Sequence, residues 1–241
     1  MTARPVLRPC GDTAISVDFG DLMDPSLTER VIALEAELRA LEFPGVVETV
    51  PSYRALTVHV DPLAVHHDGL ARIILDLAAQ TADPKGSVTE PRIWHVPVVF
   101  GGESGVDLAH VAERANLSQS ACIEAFVTAD YTVAMVGFLP GFSYLAGLPA
   151  KLATPRRAEP RARIPASSVS IGGAQAALGS IEGPSGWHLI GKSPVRPYMS
   201  GRDPVFLFSP GDRLRFEPIS ATEADSLARA AEAGAPVAWT A

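Results

Sequence analysis

The amino-acid sequence predicts an α+β protein in two parts: a small two-layer α/β sandwich over residues 1–85, then a compact β-barrel or sandwich domain over residues 86–241. Three observations carry this. Before residue 85, two helical apolar stripes alternate with strand-like runs. The polar, turn-rich stretch Ala82-Asp-Pro-Lys-Gly-Ser87 then marks a linker. From Ile164 to Ile219, short apolar runs are cut by Gly and Pro with no long helical stripe, which is the pattern of a β-rich module.

In the first part, alternation in Thr13–Phe19 predicts a half-buried strand. Asp24-Pro25 supplies an N-cap and a proline at the first helical position. Leu27, Val31, Leu34, Leu38 and Leu41 follow at helical spacing until Pro44-Gly45. Val46–Val50 and Ala55–Val60 read as two more strands. A second helix falls within Leu63–Gln80, with Leu70, Ile73, Ile74 and Leu77 as its stripe. Helices interleaved with strands bury their apolar faces most simply as two layers.

In the second part, Ile93–Phe100 reads as a strand, and Pro97 places it at a sheet edge or at a strand end. Two short helices follow, Val106–Ala115 and one capped by Ser118 running towards Ala129. Tyr131–Phe138 has strand character, and Ala221–Ala233 reads as a closing helix with Gly234 just past its end.

Composition narrows the function. The 20 basic and 27 acidic residues give a formal charge of −7, which argues against bulk affinity for nucleic acid or anionic membrane while allowing a local basic pocket. Cys10 and Cys122 are too few and too far apart for a disulfide framework or a zinc site, so a reduced, cytoplasmic setting is expected. No signal-peptide core opens the sequence, and no apolar run approaches the roughly 20 residues that span a bilayer.

Turn formers, arginines and one tryptophan crowd together between Gly137 and Gly191, which is where a site is expected. Arg156, Arg157, Arg161 and Arg163 lie on a proline-punctuated segment. Their rigid donor forks suit a carboxylate or phosphate, and a solvated basic loop is the other reading. Gln175 beside two glycines presents an amide donor and acceptor, for an amide-bearing ligand or simply at a surface turn. Trp187 either stacks on a planar ligand or fills the core; Phe138, Phe142 and Tyr144 pose the same choice around Pro140-Gly141. No Walker-type phosphate loop, no Gly-x-Ser-x-Gly elbow and no acidic dyad is present. The six histidines are scattered, and His66-His67 lacks a third ligand at metal spacing, so no metal site is expected.

Several motifs in order carry a family resemblance. They are Gly11-Asp-Thr-Ala14, Gly45–Leu56, Pro97–Leu108, Gly137–Leu145, Thr154–Pro165, Ser168–Gln175, Pro184–Pro194 and Pro210–Phe216. Together they resemble the KipI-type family, often labelled allophanate hydrolase subunit 1, which includes the B subunit of the bacterial ATP-dependent 5-oxoprolinase.

The resemblance implies an α+β N-terminal domain and a cyclophilin-like β-barrel. It implies a complex with subunits C and A that opens 5-oxoproline to glutamate with ATP as co-substrate. It also implies two alternatives: an inhibitor of a sensor histidine kinase, or half of a biotin-dependent urea- or allophanate-type carboxyltransferase.

Position by position, Arg156 and Arg161 match the family's two arginines and Gln175 its glutamine, and these three are expected to be catalytic. Pro140, Gly141, Phe142, Tyr144 and Trp187 match those that contact substrate. The chain departs from the pattern in three stretches. Gln-Thr-Gly-Ile-Tyr-Pro becomes Gln175-Ala176-Ala177-Leu178-Gly179-Ser180, Pro-Gly-Gly-Trp becomes Pro184-Ser185-Gly186-Trp187, and Gly-Arg-Thr-Pro becomes Gly191-Lys192-Ser193-Pro194.

Overall fold

The computed structural model describes residues 5–81 and 91–240, which divide into two compact units, residues 1–91 and 92–241. The linker candidate at 82–87 lies outside the described residues.

The first unit contains β1 (Val6–Pro9), β2 (Ala14–Asp18), α1 (Pro25–Ala40), β3 (Val46–Pro51), β4 (Ala55–Val60) and α2 (His67–Gln80). Its antiparallel sheet has the order β1-β2-β4-β3. Alternate residues Ile15, Val17, Leu56, Val58 and Val60 form one core with Val31, Leu34 and Leu38 of α1 and Leu70, Ile74 and Ala78 of α2. The predicted two-layer sandwich is what forms.

Asp24 caps α1 by accepting from the Ser26 N–H at 2.9 Å. Three expected core residues differ. Leu41 falls at the C-cap and is 52% exposed, and Ala78 rather than Ile73 or Leu77 is the third fully buried position of α2. Strand β1 was not expected from the sequence; it pairs with β2 from Val6 to Pro9.

The second unit contains β5 (Ile93–Phe100), α3 (Leu108–Arg114), α4 (Gln119–Val127), β6 (Tyr131–Val136), β7 (Ser143–Ala146), β8 (Arg161–Ile164) and β9 (Ser168–Gly172). It continues with β10 (Gln175–Leu178), β11 (Gly183–Ser185), β12 (His188–Lys192), β13 (Arg213–Pro218), α5 (Ala221–Glu232) and β14 (Trp239–Thr240). Seven strands close a ring in the order β12-β9-β10-β7-β6-β13-β5, with β12 returning to β5 and β14 added alongside β5. A Cβ on Gly191 would lie 2.7 Å from Val98 Cγ1 and 2.9 Å from the Val99 carbonyl, so glycine is what lets β12 approach β5 and close the barrel. Val96, Val133, Leu145, Val169, Ile171, Leu178, Ile190 and Leu214 fill the interior, each at most 1% exposed.

The expectation that Pro97 marks an edge or an end is corrected. Strand β5 is bonded on both sides, to β13 on one and to β14 and then β12 on the other. Pro97 falls in the gap between β14, which pairs with Trp94 and His95, and β12, which pairs with Val99 and Phe100. No ladder N–H is demanded there, and the Pro97 carbonyl accepts from Ser193 Oγ at 2.7 Å. Helix α5 forms where Ala221–Ala233 was expected, and the structure adds a full capping box between Ser220 and Glu223. No helix among the described residues is long and apolar enough to cross a membrane.

Candidate functional site

The loop between β6 and β7 folds back on itself, the Gly137 N–H donating to the Phe142 carbonyl and the Phe142 N–H to the Leu139 carbonyl, both at 3.0 Å. It holds Phe138 at φ 70° and 63% exposed. A bulky side chain in the left-handed region costs roughly 1–2 kcal/mol. That strain and the exposed ring mark this loop as shaped for more than packing.

Phe142 and Tyr144 lie 4.7 Å apart, and Tyr144 meets Trp187 edge-on at 5.8 Å. The indole rests on β9: a Cβ on Gly172 would fall 2.4 Å from the ring, so only glycine admits it. Ser185, one of the departures from the family pattern, accepts from the Trp187 N–H at 3.0 Å and fixes the turn that delivers the ring. Ala177, another departure, packs beneath Phe142 and Trp187. Ala176 points instead into the barrel core, so the threonine of the family pattern at this position would face the interior.

These rings line a cavity of about 330 Å³ with Phe138, Arg156 and the Pro184–Gly186 turn. The Arg156 guanidinium sits 5.5 Å from the Trp187 ring and has no carboxylate partner among the described residues. Burial pushes the Tyr144 hydroxyl up, and the Arg156 charge opposes that only in part. A larger cavity, about 610 Å³, opens elsewhere on the barrel near Ser180, Lys192 and Arg196; none of the residues expected to form the site line it.

Gln175 begins β10 opposite Gly172. Side chains alternate along a strand, so Gln175 shares the face of Ala177 and neighbours the strand position that carries Trp187. Guanidinium and indole thus line the cavity together, while Gln175 shares the outer face of this wall without lining the cavity.

Arg161 plays a different part from Arg156. Its two terminal nitrogens donate to the two Asp107 oxygens at 2.8 and 2.9 Å. Asp107 is 7% exposed and occupies the N-cap of α3, yet its carboxylate does not cap the helix. It accepts instead from Arg161, from the Leu189 N–H at 2.8 Å and from Arg157 at 3.4 Å. Burial pushes this carboxyl up, but the Arg161 hydrogen bonds, the Leu189 amide and the two guanidinium charges outweigh it and hold the group below the usual carboxylate range. Bonding to Asp107 in turn holds the Arg161 guanidinium above its ordinary value. Among the remaining expected residues, Arg163 pairs with Glu182 on the surface. Pro140 and Gly141 shape the aromatic loop without lining the cavity.

Two residues that sequence reasoning did not single out belong to this constellation. One is Asp107, which falls inside the helix predicted over Val106–Ala115. The other is His188, next along the chain from Trp187, 5% exposed and stacked on His110 at 4.9 Å. A His188 ring nitrogen, Nε2, lies 2.9 Å from the Pro155 carbonyl, which can only accept, so Nε2 carries the proton. Burial holds this imidazole below its ordinary value. No sequence signal distinguished either residue, since both roles depend on partners at least 33 positions away.

The comparisons with known proteins agree with this architecture. Residues 5–208 match the family described as carboxyltransferase domain, subdomain C and D. The chain is 34% identical over 228 residues to a Bacillus subtilis protein named as the B subunit of 5-oxoprolinase, covering 91% of this chain and 95% of that one. It is 36% identical over 209 residues to an Escherichia coli protein of the same name, covering 86% and 93%. The crystal structure of TTHA0988 superposes with a TM-score of 0.75 at 30% identity, over 90% of this chain and 41% of that one. A match of this extent over both units makes the chain a member of the carboxyltransferase domain, subdomain C and D, family.

Proposed function

We propose that the chain is the B subunit of a heteromeric ATP-dependent 5-oxoprolinase, acting with subunits C and A in the cytoplasm. The observation that carries this reading is the open aromatic cavity whose rim holds a guanidinium with no carboxylate partner among the described residues. The proposed substrate rests on the relatives named as B subunits of 5-oxoprolinase, which support the reading.

A lactam ring is flat and largely apolar, and it stacks on Trp187 and Tyr144 while its carboxylate meets Arg156. Gln175 offers the amide face its complementary donor and acceptor. An unactivated lactam is a poor electrophile. ATP answers this by phosphorylating the lactam oxygen, with ADP as the other product, and guanidinium charge stabilises the negative charge that develops. Arg161 acts through Asp107 as a positioning residue, holding the α3 end and the β12 start together. The free thiols of Cys10 and Cys122 accord with a cytoplasmic setting.

Co-expression with cognate C and A subunits, followed by an assay of ATP-dependent glutamate formation from 5-oxoproline, tests the reading. A correctly assembled complex that leaves 5-oxoproline intact overturns it. The family description favours a second reading, half of a carboxyltransferase. Incorporation of labelled bicarbonate into a urea-like substrate in the presence of biotin is its signature.

A further inference from the structure

Beside the aromatic cavity lies a second one, about 460 Å³, which shares Arg156 and Arg157 as a common wall. Its lining adds Arg114 and His110 from α3, and His188; Glu159 is the one acid in that lining. Three guanidiniums against one carboxylate leave a surplus of two positive charges, because the Asp107 carboxylate is already matched by Arg161. Such a wall suits a compact dianion.

His188 narrows the choice. Its Nε2 proton is committed to the Pro155 carbonyl, so the neutral ring presents a lone pair at Nδ1. That atom is buried and has no hydrogen-bond partner. Burial keeps the ring neutral, as does the charge of nearby Arg157. An unmet acceptor in a basic cavity calls for a dianion that still carries one proton to donate. Monohydrogen phosphate has this combination, whereas sulfate and a fully ionised phosphate monoester have acceptor oxygens only.

We infer that this second cavity is a binding site for free inorganic phosphate, with Arg114, Arg156 and Arg157 on its oxygens and His188 Nδ1 receiving its hydroxyl. The site shares Arg156 with the hydrolase reading but is tested apart from it: it is measured on this chain alone, whereas that reading is tested by turnover of the assembled subunits.

The experiment is calorimetric titration of the purified chain at pH 8 and constant ionic strength with inorganic phosphate, sulfate and phenyl phosphate. Phosphate is expected to bind saturably at one site, with sulfate and phenyl phosphate at least about tenfold weaker. Arg114 sits on the exposed face of α3, so Arg114→Ala leaves the fold intact and is expected to weaken phosphate about tenfold. His188→Leu removes the acceptor, so it is expected to bind phosphate and sulfate equally. Absence of saturable phosphate binding overturns the site. So does equal binding of any of the three anions to the unaltered chain, or unchanged phosphate affinity in Arg114→Ala.

Discussion

The rim of the aromatic cavity and the buried junction around Asp107 are built from the same arginine-rich segment, yet they are opposite environments. Arg156 lies over an indole with its hydrogen-bonding edge unclaimed by any described carboxylate, while Arg161, five positions on, is locked to a 7%-exposed carboxylate by two short hydrogen bonds. Residue type does not decide the role of an arginine; the partner does. A guanidinium whose donors are spent inside the protein holds elements in place, and one whose donors are free recognises a ligand.

Substitutions separate the two regions, and the largest effect is expected at the junction. Asp107→Ala leaves Arg161 and the Leu189 N–H without their acceptor, and a loss of about 4 kcal/mol is expected from orphaning such a buried pair. Arg161→Ala is expected to cost slightly less, about 3 kcal/mol, because Asp107 keeps Leu189 and Arg157. Chemical denaturation of both variants measures this. If either unfolds at the wild-type midpoint, the junction is not the clamp described.

At the rim the expectation is reversed. Arg156→Ala is expected to change stability by no more than about 0.5 kcal/mol. It is also expected to lower kcat/KM for 5-oxoproline in the assembled enzyme by about 10- to 100-fold, the worth of a charge-assisted hydrogen bond. Wild-type turnover with this variant removes Arg156 from substrate binding.

Acidity sharpens the contrast because the two buried groups titrate in separate windows. His188 is held below its unfolded value of about 6.5, so the unfolded chain takes up the proton first. Its stabilising contribution is full above that pH and falls as pH drops from there towards the lowered native value. Asp107 is likewise depressed, so its contribution is full above about pH 3.9 and is lost only as pH falls through the lower native value. Unfolding free energy measured against pH is expected to decline in two steps, and His188→Gln is expected to remove the upper one. A single step at low pH in the unaltered chain contradicts the assignment for His188.

The smallest effect is expected at the turn that delivers the indole. Ser185→Gly restores the family's residue, removes the acceptor for the Trp187 N–H and is expected to cost about 1 kcal/mol. Tryptophan fluorescence is expected to show a more mobile ring. An unchanged spectrum means that packing on Gly172 alone holds Trp187.

Much of the fold was legible because its signals are local. Helix α1 follows from Asp24-Pro25 and the leucine spacing, α5 from the run Ala221–Ala233 closed by Gly234, and β4 from alternation over Ala55–Val60. Strands β1 and β14 were missed because neither has an apolar repeat of its own; Trp239 and Thr240 are a strand only by pairing with His95 and Trp94. Pro97 misled for a related reason. A proline is excluded from a strand only where a partner asks for its N–H, and the gap between β14 and β12 is set by distant segments. At the site, Phe142, Tyr144, Arg156 and Trp187 could be picked out as residue types in one loop-rich stretch. Asp107 could not, because the sequence places it as an ordinary polar residue of the helix predicted over Val106–Ala115, and its partners Arg161 and Leu189 lie far along the chain.

The sequence by itself determined the two-part α+β organisation and the crowding of aromatic and guanidinium groups into residues 137–191. Periodicity, capping and turn chemistry act over a few residues and need no knowledge of what lies opposite. Only the tertiary structure decided that the barrel closes at Gly191, that Arg161 is spent on Asp107 while Arg156 meets no described carboxylate, and that His188 lies buried beside them. Those outcomes are pairings between segments far apart in the chain, and a charge or a proton takes its role from the group it meets.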